Sequence, residues 1–134
     1  MKPVVLIVED EDVFREVLAA TCREEGYTVF SEPNAISALS LMEKQDVDIV
    51  VTDIRMPGMD GIEFLQRARE RADADVIVMS AYGTAEDWAY ALQHGARDCI
   101  AKPFLLDEML RRLERVAQRR PTDGSGPSAP SAAE

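Results

Sequence analysis

Short unbroken apolar runs alternate along this chain with longer stretches in which apolar residues recur at helical spacing. Val4-Val5-Leu6-Ile7-Val8 is the first run, followed by Thr28-Val29-Phe30, the stretch from Asp48 to Thr52, Val76-Ile77-Val78-Met79, and Asp98-Cys99-Ile100-Ala101. A continuous apolar run of this length bounded by turn residues reads as a strand buried on both faces. Five helices are predicted between and after the runs. The first spans Asp12 to Glu25, with Phe14, Val17, Leu18 and Thr21 on one face and Gly26 as its stop. Asn34 caps a second helix whose inner face is Ala35, Ala38, Leu39 and Met42. A third runs from Gly61 to Arg71 and buries Ile62, Leu65 and Ala68. A fourth runs from Glu86 to His94 and is stopped by Gly95. Asp107 is expected to cap the fifth, with Leu110, Leu113 and Val116 or Ala117 turned inward. Strands alternating with helices predict an α/β fold: one parallel sheet with helices on both faces.

Composition narrows this without changing it. The chain has 134 residues, 30% charged and 46% hydrophobic, enough for one globular domain with a core. Residues 1–120 carry the pattern. Residues 121–134, rich in Pro, Gly, Ser and Ala, read as a flexible tail or the start of an interdomain linker. The net charge of −10 argues against nucleic acid or an anionic membrane as a partner of this domain. No stretch approaches a membrane span, and Met1-Lys2-Pro3 leads straight into a strand with no room for a signal peptide. Cys22 and Cys99 form no CxxC pair and read as reduced thiols of a cytoplasmic protein.

The chemistry gathers where strands end. Glu9 and Asp10 follow the first strand, Asp53 the third, Ser80 ends the fourth, and Lys102 follows the fifth. Open α/β sheets bind ligands at the carboxyl ends of their strands. Neighbouring carboxylates there require a compensating cation or partial protonation, and a hard divalent ion with oxygen ligands is the natural compensator. Acids, a hydroxyl and an amine at one rim form a set for handling phosphate with Mg²⁺. Asp53 is the candidate nucleophile, with Lys102 offsetting charge on the transferring oxygens and Ser80 donating a hydrogen bond.

Four stretches carry a resemblance. They are Leu6-Ile7-Val8-Glu9-Asp10-Glu11, Thr52-Asp53-Ile54-Arg55-Met56-Pro57-Gly58-Met59-Asp60-Gly61, Met79-Ser80-Ala81-Tyr82-Gly83 and Ala101-Lys102-Pro103-Phe104. In this order and at these intervals the chain resembles the receiver domain of two-component response regulators, most like receivers of NtrC-type transcriptional activators. The resemblance implies a flavodoxin-like sheet of order 2-1-3-4-5. It also implies a phosphoryl group passed from a sensor histidine kinase to Asp53. Mg²⁺ would be held by Glu9, Asp10, Asp53 and the backbone carbonyl of Arg55, and the phosphoryl oxygens by Ser80 and Lys102. The Lys102–Pro103 peptide would be cis. A face made of the fourth helix, fifth strand and fifth helix would switch, controlling homodimerisation or an output domain. Such a domain catalyses only its own phosphorylation and dephosphorylation.

Several positions depart from the family pattern. Glu9 stands where Asp is usual, and its longer side chain would hold the metal through water. Ser80 stands where Thr is commoner. Cys99 replaces an aromatic residue that swings inward in relatives, so the gate must lie elsewhere, and Tyr82 is the candidate. Arg55 and Tyr82 occupy positions that tune phosphate lifetime, and two bulky side chains there imply a long-lived phosphoform.

Simpler roles stand beside these. A lone Asp at a strand end is commonly a cap or turn former, and Glu9 and Asp10 could merely favour a helix N-terminus, as Glu11 and Asp12 are expected to. Asp60 reads as a turn residue, His94 as a favourable charge near a helix C-terminus and Trp88 as packing. Arg111, Arg112, Arg115, Arg119 and Arg120 read as a solvated face, or as arginine pairs across a dimer. Alternative functions are a receiver-like scaffold independent of phosphorylation, an Asp-nucleophile phosphatase, or a flavin binder. The phosphatase wants an acid at position 55, where Arg stands. The flavin binder wants a phosphate-cradling loop where Glu9-Asp10-Glu11-Asp12 stands.

Overall fold

The structure, a computed structural model, describes residues 2–54, 59, 61–81 and 84–120. Arg55, Tyr82 and residues 121–134 lie outside the described residues, and with them the expectations attached to those positions. The five apolar runs form strands β1 (Val4–Val8), β2 (Thr28–Glu32), β3 (Ile49–Asp53), β4 (Asp75–Ser80) and β5 (Asp98–Ala101). Between and after them lie α1 (Asp12–Glu24), α2 (Ala35–Met42), α3 (Gly61–Arg71), α4 (Ala85–Gln93) and α5 (Leu106–Arg119). All strand pairings are parallel, in the order β2-β1-β3-β4-β5.

Every residue of the central strand β3 is buried, as is every residue of β4. Alternate side chains feed two cores. Leu6, Val8, Val50, Val76 and Val78 join the inner faces of α2 and α3. Val5, Ile7, Ile49, Val51, Ile77, Met79 and Ile100 join α1 and α5. Cys99 belongs to the first core and Cys22 to the second, so the sheet separates them. Burial pushes each thiol up to about 11, which keeps both protonated at neutral pH.

Local chemistry sets the helix ends. The Glu11 carboxylate caps α1, accepting from the backbone N–H groups of Val13 and Phe14. Asn34 caps α2 as expected, and Thr84 caps α4 by accepting from Asp87. Gly26 and Gly95 follow α1 and α4 with φ of 100° and 104°, a left-handed backbone that side chains disfavour.

Three expectations need correction. Asp107 does not cap α5; the cap position is Leu105, with no side-chain bond, and Asp107 lies in the first turn, where its charge suits the helix dipole. On α1, Leu18 is buried and Phe14 packs against the core as expected, but Ala19 and Cys22 complete the inner face and Val17 is exposed. Of the five arginines, Arg111, Arg115 and Arg119 are exposed as expected, but Arg112 and Arg120 are not simply solvated. Arg112 bonds Asp98, the Cys99 carbonyl and Glu108, and Arg120 bonds Asp75 and the Asp73 carbonyl.

Gly61 fixes how the chain returns after β3. Its N–H donates to the Ile54 carbonyl at 2.8 Å, and a Cβ there would stand 2.5 Å from Ile54 Cα. Because the obstacle is backbone, relief requires moving the residue next to Asp53. Gly61→Ala is therefore expected to destabilise the fold by about 1–3 kcal/mol, the usual penalty of forced overpacking. Urea unfolding followed by circular dichroism measures it, and wild-type stability would rule out the close approach.

Candidate functional site

The parallel register brings the strand ends to one level. Val8 pairs with Thr52, Asp53 with Met79, and Ser80 with Ala101. Backbone bonds continue the ladder into the loops: Glu9 N–H donates to Glu32, Ile54 N–H to Met79, and Lys102 N–H to the Ser80 carbonyl at 2.8 Å. Glu9, Asp10, Asp53, Ser80 and Lys102 are thereby delivered to one edge from four strands.

Two of the three acids are withdrawn from solvent. Glu9 is 1% exposed and Asp53 9%, while Asp10 is exposed. One oxygen from each of Glu9, Asp10 and Asp53 lies within 4.8 Å of the others. The Lys102 ammonium supplies the countercharge, donating to Glu9 Oε1 at 2.6 Å and Asp53 Oδ2 at 2.8 Å. The other Glu9 oxygen accepts the Glu11 N–H at 3.0 Å, and Arg15 donates to the Glu9 carbonyl at 2.9 Å. Glu9 is thus held at carbonyl and carboxylate together.

Burial raises the Glu9 pKa; the Lys102 hydrogen bond and charge oppose this without cancelling it. Burial acts on Lys102 in the opposite sense, lowering its pKa, but its bonds to Asp53 and Glu9 prevail and the net shift is upward. The ammonium is therefore charged throughout the neutral range.

Ser80 ends β4 at the same edge, completely buried, and its hydroxyl has no hydrogen-bond partner among the described residues. The Lys102–Pro103 peptide is cis. A cavity of about 530 Å³ opens beside Lys102, walled largely by Phe14, Ala81, Pro103 and Phe104. Cys99 lies in the core near the end of β5, away from this cavity's lining. Sequence reasoning did not single out Arg15 or Phe14 for the site. Arg15 shows no pattern signal, and Phe14 was absorbed into the apolar face of α1.

Three oxygens so close fit a small hard cation. Ligands on opposite sides of an octahedral Mg²⁺ stand about 4.2 Å apart, twice the metal–oxygen distance of about 2.1 Å. Among the described residues no histidine or cysteine accompanies them, which disfavours zinc or copper.

Comparisons with known proteins bear on family and fold. Residues 5–114 match the family model described as the response regulator receiver domain. The chain is similar to the transcriptional regulatory protein TcrA of Mycobacterium tuberculosis, 37% identical over 118 residues, covering 87% of this chain and 47% of that protein. It spans about half the length of the curated relatives it matches. Among solved structures it resembles the Francisella response regulator 1452 receiver domain, with a TM-score of 0.81 and 29% identity, covering 87% of this chain and 98% of that one. It also resembles NtrX from Brucella abortus, with a TM-score of 0.82 and 29% identity, covering 88% of this chain and 27% of that one. The breadth of the family match and the identity to TcrA leave one conclusion: this chain belongs to the response regulator receiver domain family, the signalling domains of two-component systems.

Proposed function

We propose that the domain takes a phosphoryl group from the phosphohistidine of a sensor histidine kinase onto Asp53, in a Mg²⁺-dependent reaction, and that the product biases a face made of α4, β5 and α5. The observation that carries the reading is the Lys102 ammonium held between Glu9 and Asp53, with an Asp10 oxygen close by. A helix cap or turn aspartate has no need of that arrangement.

Glu9, Asp10 and Asp53, with the Arg55 carbonyl, would hold the metal. When bound, Mg²⁺ supplies positive charge that offsets the oxygens of the transferring group. One Asp53 carboxylate oxygen forms the new bond to phosphorus as the bond from phosphorus to the donor nitrogen breaks, and the nitrogen keeps the electron pair. Lys102 turns from Glu9 toward a phosphoryl oxygen, a short movement for a long side chain. Ser80 donates its O–H to another phosphoryl oxygen, giving the buried hydroxyl an acceptor that the described residues do not supply.

Transmission follows from what α5 and β5 share. Arg112 joins α5 to Asp98 and to the Cys99 carbonyl, so a shift in β5 is felt by the helix. Tyr90 and Leu92 are exposed on α4 and offer apolar surface for a second copy or an output domain. The relatives' greater length favours a downstream domain in the complete regulator, with residues 121–134 as the start of the connection. The buried thiol of Cys99 cannot serve as an aromatic gate, which leaves that role to Tyr82 or to another side chain.

Incubation with acetyl phosphate and Mg²⁺ is expected to add one phosphoryl group by intact mass. Asp53→Asn or chelation of the metal should abolish the gain. Addition of phosphate to Asp53→Asn at the wild-type rate would defeat the assignment.

Removing Lys102 tests its second role as countercharge. Lys102→Ala leaves Glu9 and Asp53 facing each other, and loss of one partner from a largely buried cluster costs roughly 3 kcal/mol. A raised lysine pKa means that its stabilisation is complete below the unfolded-state value and fades only as alkaline pH passes the folded one. The deficit of the variant should therefore be full at pH 7 to 8. It should shrink as the pH is lowered toward 5, the direction in which Glu9, whose pKa burial raises, gains a proton. Denaturant titrations at both pH values decide this, and a deficit that grows on acidification would contradict it.

A further inference from the structure

Lys102 has a third neighbour that neither charge nor hydrogen bonding explains. Its ammonium lies 4.9 Å from the centroid of the Phe14 ring. That ring is fixed at both ends. The Phe14 backbone N–H donates to the Glu11 cap at 2.8 Å, which pins the first turn of α1. On the other side Phe104 meets the ring edge-on, with centroids 5.6 Å apart and planes at 65°. The same two rings wall the cavity beside the site. An aliphatic residue would fill this wall equally well, but only an aromatic face carries the negative quadrupole that attracts a cation.

We propose that Phe14 is a positioning residue for Lys102, holding the ammonium at the rim of the site through its ring face. This inference rests on the phosphoacceptor reading of Asp53. Glu9 and Asp53 draw the ammonium toward the acid cluster, yet both carboxylates change partners when a metal and a phosphoryl group arrive. The ring is seated against Phe104 and carries no charge of its own to be re-paired, so its attraction persists as Lys102 leaves Glu9. The ammonium is then kept on the side from which it meets a phosphoryl oxygen. Phe14 touches no reacting atom, and it acts through where it holds the lysine.

The test compares wild type, Phe14→Leu and Phe14→Tyr. Leucine keeps apolar volume and removes the ring, while tyrosine keeps the ring. In the metal-free protein, the Lys102 ε-methylene protons should show an upfield ring-current shift by NMR in wild type and Phe14→Tyr, lost in Phe14→Leu. With acetyl phosphate and saturating Mg²⁺, the phosphorylation rate constant should fall roughly two- to fivefold in Phe14→Leu and be kept in Phe14→Tyr, the range set by a partly exposed cation–π contact. The Mg²⁺ dissociation constant from calorimetry should be the same in all three. The inference is overturned if leucine matches wild type in rate, if tyrosine falls as far as leucine, or if Mg²⁺ affinity drops in step with the rate. It is also overturned if the ring-current shift is absent from wild type. Failure of wild type to accept phosphate while the shift is present would instead indict the phosphoacceptor reading, and the rate argument with it.

Discussion

Holding like charges together at the edge of a buried sheet is the constraint on which the rest of the site depends. Glu9 and Asp53 are almost without solvent, Asp10 stands close, and one ammonium answers two of them. Carboxylates this near one another repel, and burial deepens the penalty for each charge. The arrangement persists because it is anchored beyond the charges themselves. Glu9 is fixed by the Glu11 N–H and by Arg15, and Asp53 is the last residue of a strand buried along its whole length. A site held this firmly is preorganised for a cation, which would relieve the repulsion without moving the scaffold.

The opposite edge of the sheet is secured by different means. Asp75 begins β4 and accepts from Arg97 at 3.0 Å and from Arg120 at 2.8 Å, tying the loop after α4 to the end of α5. Asp48 precedes β3 and accepts the Val4 N–H. At this end each carboxylate has guanidinium or backbone partners, and charge is used to close the fold. At the other end, among the described residues, Glu9 and Asp53 share a single lysine ammonium. The contrast separates structural electrostatics from the site more clearly than any one residue does.

Much of this was legible in the chain itself. Strands buried on both faces write themselves as unbroken apolar runs, and the parallel sheet follows from their alternation with helices. Glu9, Asp53, Ser80 and Lys102 could be placed because a strand end is a position sequence reveals. What stayed hidden has a common cause: it depends on how helices rotate and on what lies across space. Part of the inner face of α1 was misjudged because small residues, Ala19 and Cys22, lie where larger ones were expected. Thr84 caps α4 two residues before the expected start, since a cap is recognised only once the boundary is known. The bonds of Arg112 and Arg120 reach residues 14 and 45 positions away, and no local pattern encodes them. Phe14 looked like one more apolar residue at helical spacing, although its ring faces the lysine as well as the core.

Ser80 shows how a site can be told from a fold. Its hydroxyl is fully buried and makes no bond among the described residues. Leaving such a group unsatisfied costs about 1–3 kcal/mol. Alanine would fill nearly the same space, keep the backbone bond between Lys102 N–H and the residue 80 carbonyl, and avoid that cost. Among the described residues nothing calls for an oxygen at this position. The strand that carries the hydroxyl ends at the edge where the acid cluster lies, and its neighbours there deliver an aspartate and a lysine. A ligand that brings its own acceptor oxygens would satisfy it, and a phosphoryl group joined to Asp53 is such a ligand.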